Sequence, residues 1–141
     1  MRFIRSRMQS SRNWQDVIRM QLKNKQIVDA QPALGKMLNT ALPVKQSYHI
    51  KKTLESVKKQ AVFLEEQRTD LIKKYGVEKN GNYSIPDDDL TARKKYFDEY
   101  KELLELEEEI DVRQLTLDEL DRVELTANEL ESVEFMLKIE D

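Results

Sequence analysis

Cysteine is missing from this 141-residue chain. That excludes a disulfide scaffold and thiolate metal sites, and it fits an intracellular or virion setting. Glycine and proline are scarce, three of each, so few positions force a turn or break a helix. With 39% hydrophobic and 36% charged residues, the composition points to a charged, mainly helical fold. No apolar run approaches the roughly 18 residues of a membrane span. The arginine-bearing start also lacks the apolar stretch of a secretory signal. A membrane partner is therefore not expected.

Catalytic signatures are also missing. None of G-x-x-x-x-G-K-[ST], G-x-G-x-x-G or G-x-S-x-G occurs. His49 is the single histidine, so a zinc site would need carboxylates alone; a packed helix-flank role suits it better. Glu107, Glu108 and Glu109 are neighbours on a helical reading, point in different directions and cannot converge as an acid–base pair. The expectation is a non-enzyme with no cofactor and no metal.

What is present is a long seam. Ile50, Leu54, Val57, Ala61, Leu64, Arg68, Leu71 and Tyr75 step by four and three in alternation, the a/d pattern of a coiled coil. Pro43 suits a helix start, Gly76 reads as a left-handed stop, and Lys73 and Lys74 suit the negative end of the dipole. A helix over 44–75 would be roughly 48 Å long and needs a partner. A second helix over 89–109, headed by Asp87, Asp88 and Asp89, offers Phe97, Tyr100 and Leu104 at the same step. The two predict a long antiparallel hairpin packed through Leu54, Val57, Ala61, Leu64, Leu71, Tyr75, Phe97, Tyr100 and Leu104. Arg68 stands where leucine is expected. It either locks the register, pairing with an acid on the facing helix or stacking on Tyr96 or Phe97, or leaves a polar gap for an acidic partner.

Around that hairpin the pattern is shorter-ranged. Arg2, Arg5, Arg7, Arg12 and Arg19 make residues 1–19 a basic arm, with 20–141 as a single helical-hairpin domain. Alternation at 18–22 and again at 110–114 predicts two strands that pair as a small β element. Short helical pieces at 25–30 and 32–39 are separated by Pro32, and 77–86 forms a turn or hairpin around Asn80–Gly81. Thr116/Glu119 and Thr126/Glu129 both match the capping box. They predict one helical turn and a final helix over 127–138.

Charge is unevenly placed. Residues 1–75 hold 16 Lys/Arg against 6 Asp/Glu, a balance of +10; residues 76–141 hold 8 against 21, a balance of −13. The two halves fold onto each other, or one of them offers a face to nucleic acid or to a basic partner. The first reading is preferred because an intramolecular match uses up much of both charges.

The run from Met20 to Gly76 resembles an uncharacterised family of small phage and prophage proteins of Gram-positive bacteria. The opening MQLKN, Leu42–Pro43 before the long helix, and Glu65, Glu66, Arg68, Leu71, Tyr75 and Gly76 at its end carry the likeness. It extends over about 20–137 through the acidic second helix and short strand. That family has no established activity, so the resemblance implies an origin. Its members begin near Met20, and residues 1–19 depart from the pattern. The expected task is protein–protein contact as a virion or assembly component, in the virion or host cytoplasm, with copies of itself or other virion proteins as partners. The alternatives are a phage inhibitor of a host or defence protein acting through the acidic C-terminal half, and nucleic-acid binding through the basic N-terminal half.

Overall fold

A computed structural model describes residues 17–138. Arg2, Arg5, Arg7 and Arg12 lie outside the described residues. Arg19 lies inside them, in strand β1 (Val17–Lys23).

β1 leads directly into helix α1 (Asn24–Leu38). There Ile27, Ala30, Leu34 and Met37, spaced three and four apart, form one fully buried stripe. Helix α2 (Val44–Tyr75) follows. A hairpin of β2 (Val77–Lys79) and β3 (Asn82–Ser84) then turns through Asn80 and Gly81, both at positive φ, as an Asn–Gly turn prefers. Helix α3 (Leu90–Glu105) runs into β4 (Glu107–Arg113), which pairs antiparallel with β1 from Val17↔Arg113 to Lys23↔Glu107. A 3-10 turn (Asp118–Leu120), a short helix α4 (Ala127–Ser132) and a second 3-10 turn (Glu134–Met136) close the chain. A parallel bridge between Leu115 and Leu137 ties that segment to the end of β4.

The core overturns the expected architecture. It gathers the α1 stripe, Ile50, Val57 and Leu64 of α2, Leu22, Ile110 and Val112 of the ribbon, and Leu115, Val133, Met136 and Leu137 of the C-terminal segment. α3 adds only Tyr96 to the buried set. The long hairpin of 44–75 with 89–109 is therefore not what organises the molecule. α3 has 16 residues against 32 in α2, and it ends at Glu105, short of the expected 109, because Glu107–Glu109 join β4 opposite Lys23, Leu22 and Gln21. Ladder pairing along seven residues outweighs the good helical propensity of three adjacent glutamates, which is worth only a few tenths of a kcal/mol per residue.

Other boundaries differ for equally local reasons. The pieces at 25–30 and 32–39 are one helix. Pro32 is exposed on its outer side, where water can meet the carbonyl that the ring leaves unbonded. The final helix stops at Ser132 and tightens into a 3-10 turn, because the Met136 carbonyl and the Lys138 N–H bond to Leu115 across the bridge to the end of β4 and are not available to a continuing helix. Gly76 is no left-handed stop: its φ is −98° and ψ −177°. A β-carbon there would lie 2.6 Å from the carbonyl oxygens of both Ile72 and Ser84. Glycine is needed for room, not for the sign of φ.

Candidate interaction site

α3 is the least buried long element. Asp89 caps it by accepting the Ala92 N–H at 3.1 Å. One side turns Tyr96 inward; Leu90, Phe97 and Leu104 lie seven residues apart on the neighbouring flank. Leu90 is 73% and Phe97 55% exposed, and Leu104 is half-buried. The Arg93 guanidinium lies 5.9 Å from the Phe97 ring centre and binds Asp87 at 2.9 Å. Leu106, after the helix, and Val62 and Phe63, on α2, are also exposed.

Of the expected seam residues, Val57 and Leu64 are buried; Leu54, Ala61, Leu71, Tyr75, Tyr100 and Leu104 are half-buried, and Phe97 faces water. Arg68 takes its acid from its own helix. Its Nε and Nη2 donate to Glu65 at 3.1 and 2.9 Å, while Nη1 reaches the Tyr96 hydroxyl on α3 at 3.5 Å. Those bonds hold the guanidinium above its ordinary pKa. The Arg68 hydrogen bonds hold the Glu65 carboxyl below its own. Tyr96 stacks on Tyr100, centroids 5.8 Å apart, and burial followed by the neighbouring Tyr96 raises the Tyr100 hydroxyl.

A cleft of about 1090 Å³ opens between the start of α2 and the Val17–Arg113 end of the ribbon, lined by Val17, Arg19, Val44, Lys45, Tyr48, His49, Asp111 and Arg113. Arg113 is held on three sides. Its guanidinium lies 5.3 Å from the Tyr48 ring centre, Nη1 donates to His49 Nδ1 at 3.3 Å, and its main-chain N–H donates to Thr53 Oγ1 at 2.9 Å. Arg19 binds Asp111 at 3.1 Å and Glu109 at 3.5 Å. Nearby, burial raises the Glu119 pKa, but hydrogen bonds from Thr116 and Gln46, with the charge of Lys45, outweigh it and hold the carboxyl low. With Arg19 paired to Asp111 and Glu109, the first of which lines the cleft, the guanidinium of Arg113 and the ammonium of Lys45 are the charges left to attract an anionic group there.

Sequence reasoning did not reach Thr53, Arg113 or Tyr48; Asn24, which by its type reads as a cap for the helix that follows, is instead a buried node, with Lys23 at the cap position. Asn24 Nδ2 donates to the Leu103 carbonyl at 2.8 Å, and its Oδ1 accepts from Gln60 at 3.1 Å. These partners are tens of residues apart, and the one local signal was a threonine on the inner side of a helix. Among the described residues no group of three or more His, Asp or Glu is placed to hold a metal ion, and no helix is long and apolar enough to cross a membrane. No protein-family model, curated protein or solved structure matches the chain.

Proposed function

We propose that this is a phage-type protein, without catalysis of its own, that works through protein–protein contacts as a component of a virion or of its assembly. The stripe of Leu90, Phe97 and Leu104 carries the reading. Apolar side chains at seven-residue spacing are what a partner helix takes in a coiled coil, and a row of this kind facing water marks an interaction surface. The phage origin and the setting in virion or host cytoplasm rest on the likeness carried by residues 20–76. The test follows a tagged copy in its native cells through density-gradient separation of released particles. Co-sedimentation is expected, and Phe97→Lys, with an unchanged circular-dichroism spectrum, should lose it. A tag that never enters the particle fraction overturns the proposal.

The cationic cleft favours a second reading, binding of a nucleic-acid backbone at Lys45 and Arg113 beside Tyr48. Binding to single-stranded DNA should then weaken steeply with salt, and Arg113→Ala should lower the slope of log K against log salt by about one.

A further inference from the structure

The ribbon is two-stranded, so β1 is an edge. The direction of its main-chain groups follows from β4. The Arg113 N–H donates to Thr53, away from β1, whereas the Asn24 N–H donates to the Leu106 carbonyl across the ribbon. Pairing alternates along an antiparallel ladder, so Val17, Arg19, Gln21 and Lys23 direct their main-chain N–H and C=O groups outward. The Lys23 N–H is taken by Gln26 Oε1. Among the described residues no strand pairs with the rest of that edge.

β1 is also symmetric in character about Met20. Apolar Ile18, Met20 and Leu22 alternate with Val17, Arg19, Gln21 and Lys23. Burial on the apolar side fades toward its start: Leu22 is buried, Met20 half-buried and Ile18 37% exposed. A second β1 laid antiparallel about Met20 sets Ile18 against Leu22, Met20 against Met20, Arg19 against Gln21 and Val17 against Lys23. No like charges meet. Arg19 and Lys23, which commonly guard an edge strand, are already paired within the chain to Asp111 and Glu105, so they do not repel a second copy.

We propose that the outer edge of β1 is the contact between two copies of this chain, joined antiparallel about Met20 into one four-stranded sheet. Arg19 and Gln21 exchange main-chain hydrogen bonds in both directions, and the Val17 N–H reaches the Lys23 carbonyl, about six bonds in all. The contact is isologous, so one strand completes both copies. It rests on the contact reading above, on a different surface, and names a second copy as one partner.

Sedimentation equilibrium of the full chain tests it. The wild type should be a dimer. Gln21→Pro removes an outward N–H without touching the ladder to β4, a position where an edge strand tolerates proline; it should weaken dimerisation at least about tenfold. Gln21→Thr, which keeps the N–H, should dimerise like the wild type. Met20→Cys supplies a second readout that survives any misfolding of the proline variant. In a chain otherwise free of cysteine, it meets its own copy at a non-hydrogen-bonded pair about 4.5 Å apart between Cα atoms, within disulfide range. Mild oxidation should link the two copies, whereas Gln21→Cys should link far more slowly. A monomeric wild type, a dimer indifferent to Gln21→Pro, or a dimer that Met20→Cys fails to link overturns the proposal. A monomeric wild type whose particle incorporation still depends on Phe97 would reject the dimer edge and leave the contact reading standing.

Discussion

At the scale of single residues, burial and not conspicuousness decides which side chain matters. Arg68 breaks the seam and draws the eye, but its pair with Glu65 is largely exposed, and such pairs contribute about 0.2–1 kcal/mol. Arg68→Leu should therefore shift a urea midpoint little. Thr53 is fully buried, and its hydroxyl satisfies the Arg113 N–H at the edge of β4. Thr53→Val keeps the shape and leaves that donor without a partner, at a cost of about 1–3 kcal/mol. Should Arg68→Leu prove the more damaging of the two, the seam matters more than the sheet edge. Glu119 sets a pH dependence. Its carboxyl lies below the ordinary value when folded, so its contribution is present above the unfolded pKa of about 4.3 and is lost as pH falls from there through the folded value. Urea midpoints at pH 7 and pH 3 should therefore differ less for Glu119→Gln than for the wild type, with most of the variant's deficit at pH 7. Equal pH dependence in the two proteins would refute this role.

Among the elements, what was legible in the sequence was local, and what was not depended on pairing at a distance. The seam spacing marks α2, and both capping boxes form as their Thr-x-x-Glu spacing requires: the Thr116 and Thr126 N–H groups donate to Glu119 and Glu129 at 2.9 and 2.8 Å. Alternation finds the ribbon, though β4 begins at Glu107, earlier than its apolar residues indicate. Three glutamates carry no periodic signal of a strand, and only the register with β1 makes them one. The α2–β2 junction shows the same limit. Glycine after a helix suggests a left-handed cap, yet Gly76 is extended, and its role comes from Ser84, eight residues on. Gly76→Ala would press a β-carbon against two carbonyl oxygens that belong to backbone and cannot rotate aside. A loss of about 1–3 kcal/mol is expected, as for other overpacked sites, with hydrogen exchange rising across 77–84. An alanine variant as stable as the wild type would show that the β2–β3 hairpin shifts freely.

For the whole molecule, the charge split is met partly within the chain. Arg19 and Lys23 bind acids around β4, Lys36 binds Glu129, and Lys74 binds Glu99. All four cations are at the surface, where such pairs guide register more than they add stability. The apolar residues are distributed otherwise. α1, the ribbon, α2 as far as Leu64 and the C-terminal segment share one core, while the end of α2 beyond Leu64, the β2–β3 hairpin and most of α3 extend from it, with Tyr96 as the buried apolar side chain there. A region so sparsely buried opens at lower free energy than the core it projects from. Native-state hydrogen exchange should accordingly separate two classes of amide. Those within 27–37, 50–57 and 108–113 should exchange only through global unfolding and respond to denaturant with the full slope. Those within 66–99 should exchange through a smaller opening with a shallower slope. Leu64→Ala should widen the gap, since it strips the extension of its anchor in that core, at about 2–5 kcal/mol for a buried leucine. If both regions instead exchange with one free energy and one slope, the extension and the core form a single cooperative unit, and the contact stripe on α3 is then as rigid as the ribbon.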